Sequence, residues 1–391
     1  MGTRVRPDAE LSDVLKRYYT DYTTLHKPTE AKQRIFEALQ KCRTSALGGH
    51  VQQCERCGKT QISYNSCRNR HCPKCQVSNR ERWIQARCDD LLPVGYFHVV
   101  FTIAHQLNAY CLEDPKYFYD ALFECSRDTL MSFGYDTTHL GAQLGMIAVL
   151  HTWGQNLSLH PHVHLIVPAG GITEDNQWKR SRNGAKYLFP IQALARTFRG
   201  KFMERWLAWH RMKKRIIPLD LRRELYALNW VIYAKEPFGG PKDVIEYLGR
   251  YTHKVAISNH RLISVDDAGV KFHYTDYKDG NKRKQMHLSG TEFLRRYALH
   301  FLPAHFHRMR HYGFLSNRNK PKLKQLQLSM GVIRKKREKL SWQEFSRQHL
   351  NYDPELCKHC KTGRLVVIEV LMPRAPPARL SNLSSYRNQH F

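Results

Sequence analysis

Apolar residues recur at helical spacing near the N-terminus, at Leu11, Val14 and Leu15 and again at Ile35 and Leu39, so residues 9–45 read as helical. The Gly48-Gly49 pair breaks that periodicity. A cysteine-rich module follows, from His50 to Gln76, and residues 78–92 then return to a helical pattern. Tyr96 to Ile103 (YFHVVFTI) is rich in β-branched and aromatic residues and reads as a buried strand. Residues 106–135 read as helical. Gly145 to Trp153 and His160 to Val167 read as two further strands, adjacent and antiparallel, and Gly170-Gly171 ends the second. The segment 191–235 is expected to be mostly helical. It carries Trp206, Trp209 and the basic run Lys213-Lys214-Arg215. A helix is expected from Asp243 to Thr252, starting after Pro241. Val255–Ser258, Arg261–Val265 and Val270–Asp276 read as short strands separated by turns at Asn259-His260 and Asp267-Ala268-Gly269. Beyond Asn317 the chain is rich in lysine and arginine, and its polar Pro/Ser/Asn stretch at 373–390 is expected to be disordered.

Charge changes this picture from architecture to partner. The chain has 391 residues, with 63 Lys and Arg against 34 Asp and Glu, a formal net charge of +29. The surplus is spread along the sequence and interleaved with aromatics, which points to a polyanion such as nucleic acid bound through its phosphates. Hydrophobic content of 42% is ordinary for a globular protein of two or three domains. No apolar run is long enough for a transmembrane helix, and Met1 to Lys16 lacks an apolar signal core. A cytosolic, nucleoid-associated protein is therefore expected, and in that compartment 11 cysteines point to metal ligands more than to disulfides.

Cys54-x2-Cys57, fourteen intervening residues, then Cys72-x2-Cys75 has the spacing of two knuckles around one tetrahedral Zn2+. Cys67 and His71 are alternative ligands. The basic stretch Ser66-Cys67-Arg68-Asn69-Arg70-His71 between the pairs is a candidate DNA-contacting surface, with a solvated loop as the plainer reading. Cys357-x2-Cys360 is half a site, which His349 or His359 could complete or which binds nothing.

His160, His162 and His164 alternate along one apolar strand, so their imidazoles share a face while Val163 faces the core. Single histidines on strands are usually only hydrogen-bonded surface residues. Three in alternation suggest a site for a divalent cation, zinc in a hydrolase or Mg2+ or Mn2+ in phosphoryl transfer. The third ligand beside His162 and His164 is read as Gln155, with His160 as the alternative. Tyr247 and Tyr251 lie four residues apart on one helical face. Such pairs often only pack a helix against a sheet. Next to a cation, however, a tyrosine oxygen can attack phosphorus, and Arg250 lies between the two with His253 and Lys254 following.

Together these residues resemble the HUH-superfamily nucleases, and most closely the two-tyrosine, rolling-circle transposases of the IS-ninety-one family. The resemblance runs through Cys42-Arg43-Thr44, Gly48-Gly49-His50-Val51, SCRNRHCPKCQ (66–76), YFHVVFT (96–102), LHTWGQNLSLHPHVHLIVPAGG (150–171), YLGRYTHKVAISN (247–259) and HRMRHYGFLSN (307–317). It implies an α+β fold, an HUH-type antiparallel sheet flanked by helices, with an N-terminal zinc-binding module and a basic C-terminal region. The expected division is a helical segment at 1–45, the zinc module and connecting helix at 46–90, the nuclease domain at 91–300 and the basic region with its second CxxC at 301–391. It further implies metal-dependent cleavage and joining of single-stranded DNA at element ends by Tyr247 and Tyr251 through 5′-phosphotyrosine links. The sequence has no GxxxxGK[ST] loop, so a host helicase and polymerase would supply strand displacement and synthesis. Arg68, Arg70, Arg250, Lys254, Arg308 and Arg310 are the expected DNA contacts, since cations among aromatics suit a single strand. A plasmid replication initiator or relaxase would share this chemistry. A non-catalytic zinc-containing DNA-binding regulator and an ordinary zinc hydrolase using His160, His162 and His164 are the rival classes.

Overall fold

The structure, a computed structural model, describes residues 7–181, 188–235, 249, 254–277, 279–333 and 340–373. The chain forms two compact units, Met1–Lys27 with Asn79–Lys336, and Pro28–Ser78 with Arg337–Phe391. These units run differently from the linear division expected from sequence. The first helix, Leu11–His26, belongs with the larger unit, while the C-terminal region is split and its last strand pairs within the cysteine-rich unit.

Strands are numbered in chain order, β6 (Gly170–Ile172) and β7 (Trp178–Arg180) forming a short antiparallel pair of their own. The larger unit is built on a five-stranded antiparallel sheet in the order β12-β4-β5-β3-β8, formed by Met309–Gly313, Gly145–Trp153, Leu159–Pro168, Tyr96–Thr102 and Ile232–Lys235. The α+β antiparallel architecture expected from sequence is therefore the one found. Because side chains alternate across a strand, β3 sends Phe97, Val99 and Phe101 to one face, β4 sends Met146, Ala148 and Leu150, and β5 sends Val163, Leu165 and Val167. The helices Pro115–Tyr135 and Ile191–Met212 cover that face with Phe118, Phe123, Phe198, Phe202 and Trp206, all fully buried. Each such aromatic contributes on the order of 1.5–3 kcal/mol by leaving water. The first of these helices starts where Asp114 accepts a hydrogen bond from the Tyr117 amide, with Pro115 at its first position.

The opposite face carries Tyr96, His98, Ile147, His151, His162, His164 and Ile166. Tyr96 and Ile166 pack there against Ile84 from the helix Gln76–Cys88. A second sheet, β9 (Leu262–Asp266), β10 (Gly269–Asp276) and β11 (Lys282–Leu288), is antiparallel throughout. The helix Gly290–Ala298 follows it and packs on Leu11–His26. A Cβ on Gly290 would lie 2.0 Å from the Tyr18 ring, so only glycine allows that approach.

Several expected elements differ. Val255–Ser258 is loop and not strand: Val255, Ala256 and Ile257 are buried, Ser258 is exposed, and none joins a ladder. The segment 191–235 ends in strand β8, and the basic run after Asn317 contains a packed helix, Lys320–Ser329, that buries Leu323 and Leu326. The expected helix from Asp243 to Thr252 and the tail at 374–391 lie outside the described residues, except for Gly249.

The smaller unit holds a three-stranded sheet in the order β13-β1-β2, from Leu365–Leu371, Gly49–Cys54 and Thr60–Tyr64. β1 is central and antiparallel to both neighbours, with a bulge between Val51 and Gln52 on the β13 side.

Candidate active site and metal centres

β5 brings His162 and His164 to one face, as their alternation requires, and the antiparallel register places His151 of β4 directly opposite His162. The ligand atoms of His151, His162 and His164 all lie within 4.8 Å of one another. Ring centroids are 4.4 Å apart for His151 and His164 and 4.8 Å for His162 and His164. A tetrahedral or octahedral ion at about 2.1 Å from each nitrogen would draw the nitrogens to roughly 3.0–3.4 Å apart, and the three imidazoles lie near enough together to close on one cation.

Gln155 is not part of this group. Its amide donates to the Tyr277 hydroxyl at 2.9 Å, and its carbonyl accepts from Arg261. Gln155 lies in the loop after β4, and His151, on the strand itself, is the third imidazole that joins His162 and His164. His160 is exposed, its ring tilted against that of His162 at a centroid distance of 5.0 Å, and its carbonyl accepts from His162.

The imidazoles are held by further bonds. His162 Nδ1 lies 2.6 Å from the His160 carbonyl oxygen, which can only accept, so Nδ1 carries the proton and Nε2 the lone pair. His164 Nδ1 lies 2.8 Å from Nε2 of His98 on β3, with the two rings parallel. Burial keeps these groups neutral: His162 is pushed down to about 3 by burial and then by His160, and His98 to about 4 by burial and then by Lys235. His164 is driven well below its ordinary value by burial and then by His151. Neutral imidazole is the form that ligates a metal. Lys254 is close enough to His162 and His164 to push both down, and its own ammonium is lowered by burial and then by Arg261.

Tyr247, Arg250 and Tyr251 lie outside the described residues. Gly249 between them is described: it is helical and buried, and a Cβ there would meet Ile84 Cδ1 at 2.2 Å. Ile84 is the residue that covers Tyr96 and Ile166 on the histidine-bearing face.

The four cysteines expected to share one ion do not meet. Cys72 and Cys75 group with Cys42 and Cys67, whereas Cys54 and Cys57 group with Cys357 and Cys360. The reason is topological: Cys54 and Cys57 form the tip of the β1–β2 hairpin, which β13 joins from the C-terminal side, and the later pair belongs to the next loop. In the first group Cys42 Sγ lies 3.5 Å from Cys72 and 3.6 Å from Cys75, and Cys67 lies 3.7 Å from Cys75. Cys67 is thus a member and His71 belongs to neither group. Cys42, in the loop after the helix Glu30–Lys41, has no sequence partner at CxxC spacing and was not legible as a ligand.

Of the expected DNA contacts, Arg68 is exposed at φ 52 between Cys67 and Cys72, and Arg70 is half-buried and lowered by that burial. Arg308 is engaged inside the fold, donating to the Leu150 carbonyl at 3.1 Å and the Lys254 carbonyl at 2.7 Å over the Trp153 ring. Arg310 pairs with Asp120 and lies 4.3 Å from the Phe123 ring centroid and 5.2 Å from that of Phe306. Both guanidiniums are engaged by partners within the larger unit.

Residues 145–322 match a family described as "Putative transposase", and residues 14–103 match one described as "Transposase zinc-binding domain" of IS91 type. The chain is 39% identical to "Putative transposase y4qJ" of Sinorhizobium fredii, covering 96% of this chain and 98% of that protein. It is 31% identical to "Transposase for insertion sequence element IS801" of Pseudomonas savastanoi pv. phaseolicola, covering 71% of this chain and 68% of that protein. Among solved structures it is similar to the conjugative relaxase TrwC in complex with oriT DNA, at 10% identity and a TM-score of 0.23, over 40% of this chain and 71% of that one.

Proposed function

Since the chain belongs to the IS91 family of transposases, we propose that it nicks and rejoins single-stranded DNA at the ends of its insertion sequence, with Tyr247 and Tyr251 as nucleophiles beside a divalent cation. The observation that carries this reading is the group of three imidazoles, His151, His162 and His164, brought together on one face of the central sheet, with His162 and His164 held neutral by burial. Three imidazoles leave the remaining coordination positions of an ion to oxygen ligands from phosphate or water, which suits Mg2+ or Mn2+. A cation held there would polarise a phosphodiester and offset the charge that gathers on its oxygens.

The chain's own residues do the rest. One tyrosine oxygen attacks phosphorus. A Tyr–O–P bond forms, the bond to the 3′-oxygen breaks, and that oxygen leaves as a hydroxyl after taking up a proton. One phosphodiester replaces another, so the step is near balance and reversible. A 3′-hydroxyl attacking the 5′-phosphotyrosine restores the phenol and rejoins the strand. A second tyrosine lets a second strand end be held before the first is released. The packing of Gly249 on Ile84 supports a tyrosine helix lying over the histidine-bearing face. Lys254, lodged near His162 and His164, would set a cation against the incoming phosphate.

Zinc in the module that resembles the transposase zinc-binding domain is assigned to Cys42, Cys67, Cys72 and Cys75, whose thiols converge at tetrahedral spacing. That ion would fix the loop bearing Arg68 and Arg70, so that both cations meet DNA phosphates at little entropic cost. Host helicase and polymerase supply strand displacement and synthesis.

The test is to incubate the full chain with single-stranded DNA from its element's ends and Mg2+ or Mn2+, then resolve covalent adducts on denaturing gels. An adduct that needs metal and disappears in His162→Ala and in the double variant Tyr247→Phe/Tyr251→Phe is expected. Binding to the correct ends with no adduct under any metal condition would instead support a regulator.

A further inference from the structure

We propose that the unit formed by Pro28–Ser78 and Arg337–Phe391 contains a second zinc centre, a four-thiolate clasp made by Cys54 and Cys57 with Cys357 and Cys360. Cys357 and Cys360 lie outside the residues that resemble the transposase zinc-binding domain. The inference is independent of how the larger unit treats DNA.

The sulfur geometry comes first. Cys54 Sγ lies 3.7 Å from Cys360 Sγ, and Cys57 Sγ lies 3.8 Å from Cys357 Sγ. Four sulfurs at about 2.3 Å from one tetrahedral ion are separated by about 3.8 Å. A disulfide would bring two of them to about 2.05 Å, and all four are free thiols.

The backbone is shaped for the same purpose. Each CxxC closes one turn: the Gly58 amide donates to the Cys54 carbonyl, and the Lys361 amide donates to the Cys357 carbonyl, both at 2.9 Å. The residue after each second cysteine is left-handed, Gly58 at φ 68 and Lys361 at φ 57. Amides also point at sulfur, with Cys57 N 3.5 Å from Cys54 Sγ and Gly363 N 3.3 Å from Cys360 Sγ. Such bonds steady a thiolate, because they supply donors to its charge. Two matching knuckles that face each other with sulfurs at tetrahedral spacing are what a closed structural zinc site requires. Gly363 fits between them without a side chain, since a Cβ would lie 2.4 Å from Cys54 Sγ.

Energetics give the ion a purpose. The buried residues at this end are Cys54, Cys357 and Leu365, with Cys57 and Cys360 against them. Along β13 only Leu365 is buried, while Val367, Ile368 and Val370 are 54%, 53% and 70% exposed. A strand that buries so little cannot offset the entropy of ordering it. Zinc binding would supply that free energy and lock a segment some 300 residues distant in sequence onto the β1–β2 hairpin.

The test counts metal in the full chain. Zinc per protein is measured by elemental mass spectrometry in a His151→Ala background, which removes the histidine site from the count. Cys357→Ser/Cys360→Ser is expected to lower zinc by one ion per chain and to leave the other in place. Unchanged zinc content would overturn the proposal. Should that variant misfold and lose all its zinc, alkylation of the wild-type chain decides. Cys54, Cys57, Cys357 and Cys360 are expected to be protected together and to become reactive together when a chelator is added. Full reaction of Cys357 and Cys360 without chelator, or a disulfide between them in reduced protein, would overturn it.

Discussion

Replacing Gly249 by alanine sets two backbone effects against each other. In a helix, alanine is better than glycine by about 1 kcal/mol. Against this, the new Cβ would lie 2.2 Å from Ile84 Cδ1 and 2.4 Å from its Cγ1. Carbon atoms prefer separations of about 3.5–4.0 Å, so the helix or Ile84 must yield by roughly 1.5 Å. Overpacking of this kind costs about 1–3 kcal/mol, and the net effect on stability is a loss of up to about 2 kcal/mol. The effect on chemistry should be larger, because a 1 Å misplacement of a reacting group can lower a rate about 100-fold. Gly249→Ala is therefore expected to reduce the rate of strand nicking about 100-fold while the protein stays folded. Ile84→Ala, which removes the obstructing atoms, should restore most of that rate when combined with it. The assay is single-turnover nicking of labelled element-end DNA for wild type, both single variants and the double variant, beside their unfolding midpoints. Wild-type nicking by Gly249→Ala, or no recovery in the double variant, would refute the idea that this contact sets the position of the tyrosines.

Three further outcomes follow from the site. His151→Ala should abolish metal-dependent nicking and weaken Mn2+ binding read by calorimetry, whereas Gln155→Ala, whose side chain engages Tyr277, should leave both near wild type. Arg310→Ala removes a guanidinium paired with Asp120 and stacked on Phe123; it should cost about 1–3 kcal/mol in denaturant unfolding and leave DNA affinity per folded molecule unchanged. His300 is buried, receives a hydrogen bond from the Thr152 hydroxyl and donates to the Leu157 carbonyl, and burial pushes it down to about 4. Its neutral form is favoured in the folded state, so its stability contribution is complete above about pH 6.5 and is lost as pH falls from there toward about 4. Between pH 7 and pH 5 this one group should remove about 2 kcal/mol of unfolding free energy, and His300→Gln should flatten that decline in a pH series of unfolding curves.

The sheet was legible where period-2 patterning was strong. YFHVVFT, GMIAVLHTW and the strand holding His162 and His164 are apolar on the helix-covered face, and all three are strands of the central sheet. The weak strands were not: β11 reads KRKQMHL and is half exposed, and β8 and β12 are short edges whose pairing depends on distant residues. The metal site divides in the same way. His162 and His164 are neighbours through one strand's own alternation, whereas His151 reaches them only through the register of β4 on β5, a non-local quantity. CxxC spacing announced the knuckles, since each is local. Which knuckle faces which is settled by β13 pairing with β1, and so the one expected cysteine site became two groups, with Cys42 and Cys67 completing the other.

The central claim is that a tyrosine of the segment 247–251 becomes covalently joined to DNA. Its most direct test is to trap the full chain on element-end single-stranded DNA with Mn2+, digest protein and DNA, and map the modified peptide by mass spectrometry. The account predicts a 5′-phosphonucleotide on Tyr247 or Tyr251, formed only with metal and absent in His151→Ala. A nucleotide mapped to any other residue, or cleaved DNA with no modified peptide, would contradict it.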